Sequence, residues 1–290
     1  MIAARRPAAP APEGWSQAPW TAHLPTIGLV AAIGVAAVIR PTAPFVLLGL
    51  LFAYPLARWR GLPSSALAGV LPAAAILAWR SLGQPAAAAA GLDCANVLST
   101  PAVWRLLEAL VGLIALLALV IDRRASLADL GFHRGSRRVR ALAIVGLLVM
   151  APVAIYAGSV VGEGSLGGIS LFGSYRLDFS QPLALLPALV FAGSNALAEE
   201  LAYRGAMRTW LAPALGVTGA NLAQAVVFGL AHTGDDFTGL EAVIPTMLAM
   251  IAVGFVGGVI ARRTGSLTLL LAIHAAADIP IYFYWACRVS

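Results

Sequence analysis

The chain has 290 residues, of which 60% are hydrophobic and only 11% charged, with a mean hydropathy of +0.86. An ordinary soluble domain has roughly a quarter charged residues, so a soluble globular enzyme is excluded, as is a disordered chain, which needs low hydrophobicity. The net charge of +6 arises from nineteen arginines and no lysine, set in short clusters between apolar runs, which is the pattern of positive-inside loops and not of a nucleic-acid partner.

What remains is an all-α fold, a polytopic transmembrane helix bundle. Residues 1–23 are rich in Pro and Ala and carry Arg5 and Arg6; they read as a short disordered cytoplasmic tail, too broken by Pro7, Pro10 and Pro12 for a signal peptide. Apolar segments follow at 24–40, 42–57, 64–80, 101–121, 141–161, 181–203, 217–232, 241–260 and 265–286. A span needs roughly 20 residues, and several segments are short, so the count is eight or nine. The stretch 24–121 supplies N-terminal transmembrane helices without an assignable motif.

Arginines orient the bundle. Arg58 and Arg60, then Arg123, Arg124, Arg134, Arg137, Arg138 and Arg140, then Arg204 and Arg208, then Arg262 and Arg263 mark alternate, cytoplasmic loops. The loops 81–100, 162–180 and 233–240 are poor in arginine and belong outside. Cys94 and Cys287 fall on that outer side, which leaves a disulfide between them open. The absence of lysine beside abundant alanine points to a GC-rich genome, and hence to a bacterial inner membrane. Gly254 and Gly258 form a GxxxG inside a span, read as helix packing.

Charge inside a bilayer costs about 2.5–3.5 kcal/mol per side chain on insertion scales, so it needs a partner or a task. The acids that interrupt spans cluster in the last third of the chain. Glu199 and Glu200 continue directly from the apolar run 183–198. On a helix they point about 100° apart. Glu200 and Arg204 are at i,i+4, an ion-pair spacing, which frees Glu199 to face a cavity. Asn195 lies one turn before Glu199 and Tyr203 one turn after, on the same face. A span-end cluster at the interface is the alternative for this segment.

Phe228 and His232 end a short apolar run, and His274 and Asp278, at i,i+4, sit within the last one. Two histidines and a carboxylate can hold a divalent metal such as Zn, here His232 and His274 with Glu199 or Glu200, leaving one position open for water. Equally, a carboxylate can act as base while histidines polarise a carbonyl. There is no GxSxG; Gly193-Ser194 is the nearest serine candidate, and its neighbours are the glutamates. A proton-coupled transporter using the same acids gains no support from an internal repeat.

EExxYR at 199–204, FxxxH at 228–232 and HxxxD at 274–278 together resemble the CPBP family of intramembrane proteases, also called the Abi or CAAX-protease family, whose eukaryotic members are type II CAAX prenyl endopeptidases. The segment Leu127–Phe132 resembles the family's lead-in, so the similarity covers about 126–286, a CPBP/CAAX-protease-like catalytic helix bundle. The resemblance implies an intramembrane endopeptidase. Glu199 would activate water, His232 hold it, and His274, with Asp278, stabilise the oxyanion, while Glu200 and Arg204 tune the site. The family has been described both as metalloproteases and as glutamate-dependent enzymes. One departure is Asp278, where many members carry Asn. The substrate implied is a membrane protein or lipidated peptide met in the lipid bilayer of a cell membrane. A catalytically idle binding or bacteriocin-immunity-type protein on the same scaffold is the second reading.

Overall fold

The computed structural model describes residues 20–89, 101–163, 185–233 and 240–282. Among these the chain is helical, without strands. In order come α1 (Leu24–Val38), α2 (Ala43–Trp59), α3 (Ser65–Ala89), α4 (Pro101–Asp122), α5 (Arg137–Glu163), α6 (Leu185–Glu199), a π-helical segment (Glu200–Met207), α7 (Arg208–Ala231), α8 (Leu240–Thr264) and α9 (Thr268–Ile281). Most of the tail expected at 1–23, the loops 162–180 and 233–240 in large part, and both Cys94 and Cys287 lie outside the described residues. The last residues of the tail, Trp20–His23, form a 3-10 turn that leads into α1.

Among the described residues, five helical stretches are long and apolar enough to cross a membrane: Arg40–Trp59, Ser65–Gly83, Ala102–Asp122, Leu186–Ala231 and Val243–Thr264. The eight or nine expected spans do not map onto these one to one: α5, which holds the expected span 141–161, is not among the five, and two physical reasons account for the others. First, α1 and α9 are apolar but have only 15 and 14 residues, about 21–23 Å at 1.5 Å each, short of a ~30 Å hydrocarbon core. Second, the expected spans 181–203 and 217–232 fall in one apolar stretch, Leu186–Ala231, in which two helices meet end to end at a kink. The kink is at Gly216, whose φ of 70° and ψ of 167° are non-helical and open to glycine alone at little strain. Arg204 and Arg208 therefore lie inside the stretch rather than ending it.

The bundle is arranged around two buried elements. In α3 the small residues Ala68, Ala73, Ala74, Ala75 and Ala78 are buried with Val70, Ile76 and Leu77. Small side chains let neighbours approach closely where no hydrophobic force separates helix from lipid. Around α3 pack α1, α2, α4 and the π-helical segment, while α6 packs on α4 and α9. The outer helices turn large apolar side chains outward, among them Phe45, Phe52, Ile114, Ile121 and Leu148, as a lipid-facing surface should.

The GxxxG of α8 packs on α7. A Cβ at Gly254 would sit 3.0 Å from the Ala225 Cα, and one at Gly258 would overlap the Asn221 side chain. The close approach lets Gln224 Nε2 donate to the Gly254 carbonyl at 2.8 Å and Asn221 Nδ2 to the Phe255 carbonyl at 3.1 Å. The lead-in Leu127–Leu130 is a 3-10 turn held by a Ser126–Asp129 capping box. It docks on the start of α9, where the Leu267 N–H donates to the Gly131 carbonyl at 2.9 Å. His133 clasps the same turn, with Nε2 2.7 Å from the Gly265 carbonyl.

Candidate active site

Glu199 ends α6 and Glu200 opens the π-helical segment, about a third of the way along the apolar stretch Leu186–Ala231. A π-helical turn inside an α-helix is uncommon and frequent at functional sites, because it re-aims side chains. All residues of Glu200–Met207 are buried, and Glu199 is 1% exposed. These charges are buried inside the protein, and the helix runs on past Arg204 to the kink at Gly216.

The two glutamates diverge, as expected for adjacent helical positions. Glu199 Oε1 accepts from Arg80 Nη2 at 2.5 Å, and its other oxygen, Oε2, is buried with no hydrogen-bond partner. That free oxygen lies 3.8 Å from His232 Nε2 and 3.7 Å from His274 Nε2. Glu200 Oε1 faces Arg204 Nη1 at 3.2 Å and accepts from His274 Nδ1 at 2.9 Å. Glu200 thus pairs with Arg204 as the spacing predicts, and also holds a histidine.

His232 caps the C-terminal end of α7. Its Nδ1 is 2.7 Å from the Phe228 carbonyl oxygen. A carbonyl only accepts, so Nδ1 carries a proton, and Nε2, which in the neutral ring holds the lone pair, faces Glu199. The ring leans on Phe228 at 4.3 Å between centroids. Phe228 in turn lies under the Arg204 guanidinium, 3.8 Å from Cζ, and meets Tyr203 edge-on at 5.3 Å. FxxxH therefore works as a unit: one residue supplies both a stacking face and a carbonyl to the histidine four positions on.

From α9, His274 brings Nε2 within 3.5 Å of Asp278 Oδ2 on its own face. Asn195 does not donate toward Glu199, as its position one turn earlier suggests, but to Asp278 Oδ2 at 2.8 Å. The reason is packing: α6 lies directly against α9, so the amide finds the buried carboxylate of the neighbouring helix. Tyr203, aligned with Glu199 by spacing, has a buried hydroxyl without a hydrogen-bond partner and contributes its ring to the Phe228 contact. His232 and His274 have side chains 27% and 16% exposed against 1% for Glu199, so the histidines form the open side of the cluster.

Three residues of the site were missed by sequence reasoning. Arg80 of α3 and Glu108 of α4, both buried, form with the partly exposed Arg105 of α4 a chain of charge behind Glu199. Arg80 Nε donates to Glu108 Oε1 at 2.9 Å, and Arg105 Nη1 to Glu108 Oε2 at 2.7 Å. The signal was present. Glu108 interrupts the apolar segment 101–121 and Arg80 closes 64–80, so acids within spans do not cluster in the last third alone.

Among the described residues no set of three or more His, Cys, Asp or Glu is gathered to hold a metal ion. The physical cause is visible in the pairings: Glu199, Glu200 and Asp278 each give an oxygen to a guanidinium, imidazole or amide N–H. Glu199 nevertheless keeps its second oxygen, which faces the Nε2 atoms of both histidines, so His232, His274 and Glu199 are the residues of the expected set that would hold a divalent ion.

A helical membrane bundle with a buried glutamate–histidine cluster is the class that fold and site define. Residues 181–280, the stretch that holds α6 to α9, match the family described as Type II CAAX prenyl endopeptidase Rce1-like. The match bears out the resemblance seen in the three motifs; it begins after the lead-in at 127–132. No curated protein and no solved structure gives a significant match.

Proposed function

We propose that the protein is an intramembrane endopeptidase in which Glu199 activates water for attack on a peptide carbonyl. The observation that carries this is the free, buried Oε2 of Glu199 facing the Nε2 atoms of both histidines at 3.7–3.8 Å. Atoms that close are too far apart to bond one another and near enough for one water to bridge them.

Each residue then has a task. The water gives a proton to Glu199 Oε2 as its oxygen bonds to the substrate carbonyl carbon. His232, with its proton fixed on Nδ1 by the Phe228 carbonyl, accepts the water's second hydrogen at Nε2 and aims the lone pair. His274, when protonated on both nitrogens, donates Nδ1–H to Glu200 and Nε2–H toward the oxyanion; Asp278 and Asn195 hold the ring on that side. Glu199 then delivers its proton to the leaving nitrogen as the C–N bond breaks. Such donors act strongly where water is excluded. A peptide reaches the cluster from the histidine side, and a membrane protein or lipidated peptide is the substrate class that arrives there from lipid. The reading uses the chain's own residues and routes no step through zinc. Its place is a cell membrane, and lysine-free composition favours a bacterial one.

The test is cleavage of a fluorogenic farnesylated peptide by the purified protein in detergent. Wild type, Glu199→Ala and His274→Ala are compared, each with and without a strong zinc chelator. Turnover by wild type, lost about 10²–10⁴-fold in both variants and unchanged by chelator, is the expected result. Loss of wild-type activity on chelation points to the metal-dependent form of the same site. Equal turnover in all three proteins overturns the assignment, and no turnover in any of them favours the idle binding protein.

A further inference from the structure

Arg80 is the only residue outside α6 to α9 with a described hydrogen bond to either site glutamate. It sits on α3, outside the matched segment 181–280 and 119 positions before Glu199. Its guanidinium is shared between two carboxylates: Nη2 lies 2.5 Å from Glu199 Oε1 and 2.8 Å from Glu108 Oε1. All three side chains are buried, at 8%, 1% and 6% exposure. Glu108 is braced by Arg105, whose own guanidinium lies over the Phe191 ring of α6, 5.4 Å from its centroid. The sequence Arg105–Glu108–Arg80–Glu199 alternates in sign and sums to zero, which is how buried charge is tolerated in a water-poor interior.

The geometry points to Arg80 as a positioning residue for Glu199, with Glu108 and Arg105 as its anchor, so that helices α3 and α4 complete a site whose reacting groups all lie on α6 to α9. The inference rests on the reading of Glu199 as the base. Arg80 touches neither histidine nor the open side of the cluster. It acts by fixing Oε1, which fixes the carboxylate plane and leaves Oε2 aimed between His232 and His274. Without it the nearest cationic partners of Glu199 are the histidines themselves, and the carboxylate swings onto them and occupies the space the water needs. The fork matters as well as the charge. A guanidinium donates in two fixed directions at once, whereas an ammonium is a point charge on a flexible stem.

The experiment measures kcat and KM for the farnesylated peptide with full-length Arg80→Gln, Arg80→Lys, Arg80→Gln/Glu108→Gln and Glu199→Gln, each normalised to the monodisperse fraction after size-exclusion chromatography. The double variant guards against misfolding, because it removes one cation and one anion and leaves Glu108 without an unpaired charge. Arg80→Gln and the double variant are expected to lose about 100-fold in kcat, the size of effect of one preorganised polar contact, with KM within about twofold. Arg80→Lys recovers about tenfold of that loss by restoring the charge without the fork. Wild-type kcat per folded molecule in the double variant, beside an inactive Glu199→Gln, overturns the inference while leaving Glu199 as base. Wild-type kcat in Glu199→Gln removes the underlying reading, and this inference with it.

Discussion

Phe228 is the keystone of the histidine side, and Phe228→Leu isolates what its ring does. Leucine keeps most of the apolar volume and the backbone carbonyl, so the His232 Nδ1–H bond at 2.7 Å survives. The lost interactions are the Arg204 guanidinium at 3.8 Å and the ring contacts with Tyr203 and His232 at 5.3 and 4.3 Å. A desolvated cation–π contact contributes about 2 kcal/mol, and an aromatic pair about 0.5–1.5 kcal/mol beyond its buried area. The expected loss is therefore about 3 kcal/mol. At roughly 2–4 °C per kcal/mol for a chain of this order, the thermal midpoint in detergent falls by about 6–12 °C. Because the tautomer of His232 is kept while its ring loses a backing surface, kcat falls by only about tenfold. Scanning fluorimetry of purified wild type and variant reads the first quantity and peptide cleavage the second. A midpoint within about 1 °C of wild type would show that the stacked ring does not hold Arg204, and would refute the reasoning.

Two further perturbations separate packing from chemistry. Gly258→Ala forces a methyl onto the Asn221 side chain and is expected to destabilise by about 1–3 kcal/mol, whereas Gly28→Ala, with open space around its Cβ, is not; equal midpoints for the two would contradict the close α7–α8 contact. Asn195→Ala strips Asp278 of its 2.8 Å donor, a charge-assisted bond contributing about 1.5–3 kcal/mol. It is expected to lower kcat about tenfold through His274, and unchanged stability and turnover would show that the bond is idle.

The motifs at 199–204, 228–232 and 274–278 were legible because charge in an apolar run stands out against its neighbours, and their joint occurrence located the cluster that α6, α7 and α9 assemble. What sequence left hidden has two causes. Glu108 sits in a run as apolar as any, yet Arg105 three positions before it suggests a local pair, and nothing in spacing says that Arg80 reaches across from another helix. Helix ends were also hard to read: Arg204 and Arg208 look like the end of a helix, but Arg204 is buried among Glu200, Gly257 and Phe228, and the helix runs on to the kink at Gly216. The destination of the Asn195 amide depended on which helix packs beside α6, which no intrahelical spacing encodes.

The most direct test of Glu199 as a base acting on water is a single turnover in H₂¹⁸O, with enzyme in excess over the farnesylated peptide. Mass spectrometry then reads the isotope in the product and in the proteolytic fragment that carries Glu199. A base-activated water leaves one ¹⁸O in the newly formed product carboxylate and none in the Glu199 fragment. Label in the Glu199 carboxylate would mean that it had bonded to the substrate carbonyl itself, and would contradict the account.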